Sequence, residues 1–255
     1  MECNESTFCS LWTEYIKINE CTDLFINEKL GDDYFFNRVN YTLCCVNADH
    51  DANAAARLVL RNSIRLFSER RLKCYVYIDD SDCVLESILL KNKFTLLDTM
   101  QVFRSNVDKV QQYQNQSFYV DKIGMDLVPV WIDVFCKSFD ALELKSEVQG
   151  ILKRHFNKLT LLIGYVKRNS SQIPAGCALL FNTDGLTGLY CLGTIESFRH
   201  QGLAKKIIGS SIEIARQQSA SLLICQAFTK QGFAEFYKRL GFQLVYKKKI
   251  YVPIE

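Results

Sequence analysis

The fold of this chain is decided by residues 199–204, Arg199-His200-Gln201-Gly202-Leu203-Ala204, which join a glycine-bearing loop to the first turn of a helix. The preceding residues 188–194 are apolar and rich in β-forming types, which predicts a buried strand. After the loop, apolar residues recur at helical spacing: Leu203, Ile207, Ile208, Ile212 and Ala215. The sequence therefore predicts a strand, a loop and a helix in that order.

A loop in this position can hold a pyrophosphate. The first N–H groups of a helix have no intrahelical acceptor, and the positive end of the helix dipole lies there. Gly202 lets the backbone approach a ligand, and Ala204 keeps the next turn almost as bare. Arg199 can donate a forked hydrogen bond to phosphate oxygens. We expect the side chain of His200 to point to solvent or to a nucleotide.

The spacing R-x-x-G-x-A after an apolar strand resembles the acyl-CoA loop of the GNAT superfamily of N-acetyltransferases. A second apolar strand follows at Leu222–Gln226. The run from Phe236 to Phe242, F-Y-K-R-L-G-F, is similar to the other familiar signature of that superfamily, and a final strand runs through Val252. The order of these segments supports the resemblance more than either motif does alone.

The resemblance implies an α/β (α+β) fold of tandem GNAT-like domains, each with a central mixed, mostly antiparallel sheet flanked by helices. It also implies acetyl-CoA (coenzyme A) as cofactor and direct transfer of an acyl group to an amine. Leu192, Gly193 and Thr194 would lie along the pantetheine arm. The loop implied to hold the pyrophosphate comprises Arg199, His200, Gln201, Gly202, Leu203, Ala204 and Lys205.

Tyr237 matches the superfamily tyrosine that gives a proton to the leaving thiolate, a task that suits a phenol with an ordinary pKa of about 10. The alternative is that Tyr237 only packs its helix against the sheet. Some relatives carry a glutamate on the strand before the loop, but residues 185–195 hold no carboxylate, and we interpret Glu196 as a solvated turn residue. Tyr190, a chain of waters or an already neutral acceptor are the alternatives, so we assign no general base.

The closing pattern of the chain occurs twice. One shift of 148 positions lays Phe94 on Phe242 and Ala56 on Ala204 without a gap. The same shift brings three residues to the positions of Arg199, Gly202 and Tyr237, namely Asp51, Ala54 and Leu89. A carboxylate repels a pyrophosphate, alanine restores a Cβ and leucine has no proton to donate. The first copy is therefore predicted to keep the fold and to lack the site.

We predict a degenerate GNAT-like domain at 1–110, a linker at 111–117 and a GNAT acetyltransferase domain at 118–255. The linker is assigned because its Gln and Asn cluster has little to bury. Two further features resemble some two-copy bacterial acetyltransferases with a degenerate first half: the segment Gln226-Ala227-Phe228 and, loosely, the run 35–39. Many relatives carry an asparagine where this chain has 229–231, and there Lys230 is a candidate for contact with a phosphate.

Between the linker and the loop the pattern predicts two helices and a hairpin. Pro129 begins a helix with an apolar stripe, and 142–156 forms a second. Phe135 and Phe139 of the stripe are candidates for the wall of the acceptor pocket, although core packing is the commoner role of such residues. Two apolar strands follow at 159–166 and 175–181, and Asp184-Gly185 indicates a turn.

The composition shows no strong charge bias. The chain has 255 residues, is 48% hydrophobic and carries a formal net charge of +3, so it has ample apolar content for a core and no basic footprint for nucleic acid. The N-terminus, Met1-Glu2-Cys3-Asn4-Glu5, is acidic rather than signal-like, and no apolar run reaches about 18 residues. We expect no membrane association and a cytoplasmic location.

The eleven cysteines include no C-x-x-C pair, and several lie in apolar strand patterns. We interpret Cys44, Cys74, Cys177, Cys191 and Cys225 as core thiols. Cys44, Cys45 and His50 are the residues that could meet at a metal, but buried thiols are the commoner case and we expect no metal.

The function expected from these features is acyl-CoA-dependent N-acyltransfer in one working copy. The acceptor is a small-molecule or peptide amine, with polyamines, antibiotics, amino acids and protein N-termini all open, and the protein is a monomer or homodimer. One alternative is a catalytically weak or inactive acyl-CoA-binding protein with a regulatory or interaction role. Another is a non-enzymatic interaction protein that uses the N-terminal copy as a docking surface.

Overall fold

The computed structural model describes residues 1–41, 50–108, 116–168 and 171–254, with side chains in the second range from residue 56 onward. In the first half of the chain the elements are α1 (Glu2–Trp12), β1 (Glu14–Asn19), β2 (Thr22–Ile26), β3 (Arg38–Tyr41), α2 (His50–Glu69), β4 (Tyr75–Asp79), α3 (Cys83–Lys91) and β5 (Phe94–Asn106). In the second half they are β6 (Phe118–Lys122), α4 (Val128–Phe139), α5 (Lys145–His155), β7 (Leu159–Arg168), β8 (Ser171–Thr183), β9 (Leu186–Thr194), α6 (Leu203–Gln217), β10 (Leu222–Phe228), α7 (Ala234–Arg239) and β11 (Gln243–Pro253).

These elements form two compact units. The C-terminal unit comprises Met1–Phe8, Phe103–Gln226 and Glu235–Leu244. The N-terminal unit comprises Cys9–Val102, Ala227–Ala234 and Val245–Glu255. Each unit therefore includes short segments from the other end of the chain, because strands and helices at the chain ends pack across the predicted halves. The boundaries 1–110, 111–117 and 118–255 stay a prediction about the two sequence copies, and most of the linker lies outside the described residues.

Each unit is built on a mixed sheet. The strand order is β1-β2-β3-β4-β11-β5 in the N-terminal unit and β5-β10-β9-β8-β7-β6 in the C-terminal unit. The pairs β3/β4 and β9/β10 are parallel, whereas β1/β2, β2/β3, β4/β11, β6/β7, β7/β8 and β8/β9 are antiparallel. The predicted fold, a mixed and mostly antiparallel sheet flanked by helices, is confirmed.

The helices of the C-terminal unit cover both faces of its sheet. A Cβ built on Gly176 would lie 2.8 Å from Cδ1 of Ile207, so this glycine lets α6 pack closely on β8. The next residue along β8 is Cys177, whose side chain points to the opposite face and lies beside Ser138 of α4. The five apolar residues predicted for the inner face of α6 are all buried: Leu203, Ile207, Ile208, Ile212 and Ala215.

The elements predicted between the linker and the loop are present in the structure. Pro129 lies in the first turn of α4, and the strands β7 and β8 pair antiparallel as predicted. Asp184 and Gly185 form the two-residue turn to β9, with φ of 50° and 73°, the left-handed values that a type I′ hairpin turn requires. The second predicted helix, 142–156, is α5 with a 3-10 turn at each end.

The N-terminal unit repeats the order of elements around the loop. The sequence β3, α2, β4, α3 and β5 matches β9, α6, β10, α7 and β11, and the shift that lays Phe94 on Phe242 aligns all five pairs. Leu89 of α3, which stands where Tyr237 stands in α7, is fully buried in the core of this unit. Asp51 and Ala54, which stand where Arg199 and Gly202 stand, lie in α2, and their side chains are outside the part of the chain whose side chains the structure describes.

The cysteines of the described residues are mostly free. Cys74, Cys177 and Cys225 are buried thiols as predicted, Cys191 is half-buried, and Cys21 takes part in a disulfide. Burial raises the pKa of the Cys74 and Cys177 thiols to about 12. Cys44 lies outside the described residues. Within the described ranges, no helix has both the length and the apolar character needed to span a membrane.

Candidate active site

The loop between β9 and α6 has the backbone geometry of an anion cradle. A 3-10 turn at Glu196–Phe198 follows β9, and two residues then take left-handed conformations, His200 with φ of 62° and Gly202 with φ of 96°. Gly202 is the N-cap of α6 and allows this conformation because it lacks a Cβ. The loop is held at its start by a hydrogen bond of 2.9 Å from the Ile195 N–H to the Ala175 carbonyl.

The first turn of α6 presents backbone donors. The N–H group of Lys206 donates to the carbonyl of Gly202, the N-cap, over 3.1 Å. The N–H groups of Leu203, Ala204 and Lys205 precede it, and no acidic residue lies in the first turn. The dipole and the donors together favour a bound anion here.

The guanidinium of Arg199 hydrogen-bonds to two backbone carbonyls. Its Nε donates to the Thr194 carbonyl and its Nη2 to the Ser138 carbonyl, both over 3.0 Å. The guanidinium therefore ties the end of β9 to the end of α4. Two of the five N–H groups of Arg199 are thus used inside the protein, and its contact with a phosphate stays a prediction.

His200 and Gln201 form the exposed tip of the loop. The side chain of Gln201 donates to the Ser197 carbonyl over 3.2 Å and so keeps the tip closed on the 3-10 turn. His200 is exposed, as predicted. Lys205 is exposed one turn further on, and Leu203 points the other way into the core.

A bulge in β9 lies next to the loop. Leu179 of β8 pairs with Tyr190 and Cys177 pairs with Gly193, so two residues, Cys191 and Leu192, lie opposite one. Cys191 has a φ of 51°. A Cβ on Gly193 would lie 2.7 Å from side-chain atoms of both Ser138 and Phe139, so only glycine allows α4 this close to the strand.

The strands β9 and β10 stop pairing before the bulge is reached. Their parallel pairing covers four residue pairs and ends at Leu189 and Cys225. Leu192, Gly193 and Thr194 therefore lie beyond the pairing with β10, which leaves that edge of the strand for another backbone-like partner. A pantetheine arm, with its two amide groups, is such a partner.

Tyr237 lies at the point where this pairing ends. Its side chain is 6% exposed and packs against Phe103 and Phe242, with ring centroids 5.5 and 5.6 Å away. Its hydroxyl hydrogen-bonds with the Cys225 thiol. Burial, together with the neighbouring Cys225, raises the pKa of the phenol well above its ordinary value, so the group stays protonated at neutral pH.

The side chain of Tyr190 contacts the first residues of the chain. Its hydroxyl donates to Oδ1 of Asn4 over 2.8 Å, and its ring stacks on Phe8 with centroids 3.7 Å apart. This pair argues against Tyr190 as the general base, because its proton is already committed to a buried acceptor. Glu196 is an exposed turn residue, as predicted.

Sequence reasoning missed Asn4, Phe8 and the partnership of Cys225 with Tyr237. Of the two candidates for the acceptor pocket, Phe135 is buried and stacks on Trp131, whereas Phe139 is 44% exposed beside Gly193. Lys230 belongs to the N-terminal unit, where its backbone N–H donates to Asp98 over 3.2 Å.

No metal cluster of His, Cys, Asp and Glu occurs within the described ranges. The candidate ligands Cys44 and Cys45 lie outside those ranges, as does the side chain of His50.

The sequence of the C-terminal unit matches a known family model. The match is to the acetyltransferase (GNAT) family and spans residues 130–242, which include the bulge, the loop, α6 and Tyr237. Residues 130–242 belong to the GNAT family. No curated protein matches the chain.

Solved structures share the fold of this chain at low identity. A GCN5-related N-acetyltransferase from Kribbella flavida has a TM-score of 0.73 at 12% identity, covering 100% of this chain and 95% of that one. One from Sphaerobacter thermophilus has a TM-score of 0.73 at 9% identity, covering 94% and 82%. A tandem GNAT protein from the clavulanic acid biosynthesis pathway has a TM-score of 0.58 at 9% identity, covering 84% and 74%, in keeping with a two-copy form.

Proposed function

We propose that the chain is an N-acyltransferase that uses acetyl-CoA and transfers the acyl group directly to an amine. The observation that carries this proposal is the place where β9 and β10 stop pairing. This pairing ends at Cys225, which is the hydrogen-bond partner of Tyr237. From there β9 continues through its bulge to the loop that begins α6. A proton donor, a free strand edge and an anion cradle are thus set in one unit, in the order that an acyl-CoA requires.

The residues present fit an acyl-CoA. The N–H groups at the start of α6 and the left-handed conformation at Gly202 suit a pyrophosphate, and no carboxylate of the first turn opposes it. The edge of Leu192, Gly193 and Thr194 suits the amides of pantetheine. Acetyl-CoA supplies the acyl group as a thioester.

The protein residues then have three tasks. The loop and the first turn of α6 hold the cofactor phosphates. Backbone N–H groups past the bulge stabilise the negative charge that develops on the acyl oxygen, since such donors are worth most where water is excluded. Tyr237 gives a proton or a hydrogen bond to the departing sulfur, and its raised pKa keeps that proton in place until transfer.

One copy carries this function. Tyr237 has its counterpart in the buried Leu89, which has no proton to give. We propose that the N-terminal copy is degenerate and that one acetyl-CoA binds per chain.

A second candidate is an acyl-CoA-binding protein with a regulatory or interaction role and little turnover. The observation that favours it is the commitment of Tyr190 to Asn4, which removes a candidate base from the site. An amine that arrives neutral needs no base, so this observation does not exclude transfer.

The acceptor class proposed is a small-molecule or peptide amine, and neither nucleic acid nor a membrane is a proposed partner. The proposed location is the cytoplasm. In this proposal the protein works as a monomer or a homodimer, and the residues assigned to the site come from one unit of one chain.

Two measurements test the proposal. Saturating acetyl-CoA should raise the melting temperature, as any ligand that binds only the folded state does. Acetylated product should then appear with members of an amine panel, detected by mass spectrometry, because the exposed thiols Cys3 and Cys83 would react with a thiol-detecting reagent. If acetyl-CoA does not change the melting temperature, both candidate functions are excluded. If the melting temperature rises but no amine is acetylated, only the acyl-CoA-binding protein remains.

A further inference from the structure

The first residues of the chain belong to the C-terminal unit. Met1–Phe8 pack with this unit, although the predicted domain boundary lies more than a hundred residues later. Asn4 is the centre of the contact, since it is 2% exposed and lies between the ends of β8 and β9.

Asn4 uses both ends of its side-chain amide. Nδ2 lies 2.8 Å from Thr183 Oγ1, 3.2 Å from the Phe181 carbonyl and 3.3 Å from the Leu186 carbonyl, so it is shared among three acceptors around the β8–β9 turn. Oδ1 accepts the hydrogen bond from the Tyr190 hydroxyl over 2.8 Å. The amide therefore links the turn to a point four residues further along β9.

Phe8 and Gly188 complete the contact. The Phe8 ring stacks on Tyr190 with an interplanar angle of 8°, and a Cβ on Gly188 would collide with both Asn4 and Tyr190. The position of the Tyr190 ring is thus fixed from its face and from its hydroxyl at once.

Tyr190 immediately precedes the bulge. Cys191 has a left-handed φ, which a residue with a side chain holds only when its neighbours hold it. On the far side of the bulge, Arg199 fixes the Thr194 carbonyl. On the near side, the fixed point is Tyr190 and its partner Asn4.

We propose that Asn4 is a positioning residue of the acyl-transfer reaction: through Tyr190 it sets the geometry of the β9 bulge that receives the acyl group. This inference rests on the proposed function. The first eight residues of the chain are then part of the working copy, although they precede the degenerate copy in sequence. The cofactor phosphates are held by the loop and α6, so loss of this contact should affect the chemical step more than cofactor binding.

The experiment compares Tyr190→Phe, Asn4→Ala and the double variant in the full-length protein. Tyr190→Phe keeps the ring stacked on Phe8 and removes only the hydrogen bond, so it should fold. We expect each single variant to lower kcat about tenfold while the Kd for acetyl-CoA changes less than twofold. Because both changes remove the same hydrogen bond, the double variant should be no slower than the slower single variant. Tyr119→Phe, on the edge strand β6, is the matched control.

Each outcome decides the inference. An unchanged kcat in Tyr190→Phe overturns it, and so does a loss of kcat matched by an equal loss of acetyl-CoA affinity, which would mean general support of the site. If the fold losses of kcat multiply in the double variant, Tyr190 acts independently of Asn4, as a general base would. That result would also overturn the inference. If the wild-type protein shows no turnover, the proposed function itself is contradicted. If the wild type turns over and the variants have the same kcat, only this inference is contradicted.

Discussion

The phenol of Tyr237 hydrogen-bonds with the thiol of Cys225, the last residue of β10 that pairs with β9. The bond places a proton donor where the two strands begin to separate. Burial raises the pKa of both groups well above their ordinary values, so both carry their protons at neutral pH. Cys225 is for the same reason a poor nucleophile, since the thiolate is the reactive form.

Tyr237→Phe should lower kcat about 100-fold, the usual loss when a positioned acid is removed. The Kd for acetyl-CoA should stay within about twofold, because the phosphate loop is untouched. Steady-state kinetics and calorimetric titration check the two values, with Tyr119→Phe as the control. An unchanged kcat would return Tyr237 to a packing role.

Gly202→Ala should weaken acetyl-CoA binding about tenfold. The glycine has a φ of 96° at the N-cap of α6, where a Cβ adds roughly 1–2 kcal/mol of strain and shifts the first N–H groups. Gly185→Ala is the matched control, since Gly185 also has a left-handed φ, of 73°, but lies in the β8–β9 turn. Both variants should lose stability, whereas only Gly202→Ala should lose affinity. Equal affinities of the two variants for acetyl-CoA would contradict the proposed loop.

Arg199→Ala and Lys205→Ala should differ in how their acetyl-CoA binding depends on salt. Arg199 is bonded to two carbonyls of the protein, so its loss should lower the melting temperature and the affinity with little change in salt dependence. Lys205 is an exposed charge at the first turn of α6, and its loss should flatten the salt dependence. Titrations at low and high salt check this. A flatter salt dependence in Arg199→Ala would instead support the direct phosphate contact predicted from the sequence.

The local part of this fold could be predicted from the sequence. The strand, loop and helix around Gly202 follow from apolar spacing and one glycine, and the turn at Asp184-Gly185 follows from a dipeptide that favours left-handed conformations. The sheet follows from the order of motifs that the chain shares with the GNAT superfamily. The repeat of five elements follows from the recurrence of the same apolar spacing in the first half of the chain.

The long-range part could not be predicted. Asn4 and Tyr190 are 186 positions apart, and no periodicity within either segment reports their contact. Arg199 is predicted to contact a phosphate because of its charge, whereas nothing in the sequence predicts its hydrogen bonds to the Thr194 carbonyl of β9 and the Ser138 carbonyl of α4. Cys225 was predicted as a core thiol, and nothing in its strand indicates that Tyr237 lies beside it.

Alkaline pH should destabilise the protein partly through Cys177. The folded protein holds this proton up to a pKa of about 12, whereas the unfolded chain releases it near 8.5. The raised pKa means that the thiol's contribution is fully present below pH ~8.5 and is lost as the pH rises toward 12, about 2 kcal/mol by pH ~10. Denaturant unfolding in reductant checks this against Cys177→Ala, whose free energy of unfolding should fall less steeply between these pH values. Parallel curves for the two proteins would contradict the assignment.

The approach of α6 to the sheet brings Ile207 against two glycines, Gly164 of β7 and Gly176 of β8. A Cβ on Gly176 would lie 2.8 Å from Cδ1 of Ile207, the far end of a flexible side chain. Gly176→Ala should therefore cost about 1–3 kcal/mol of stability and Ile207→Val about 0.5–1.5 kcal/mol. Because valine lacks the clashing atom, the double variant should lose less stability than the two single losses added together, by at least about 0.5 kcal/mol. Acetyl-CoA affinity should fall in Gly176→Ala and recover in the double variant, since the start of α6 returns to the sheet. Additive losses measured by denaturant unfolding would mean that α6 is positioned by other contacts.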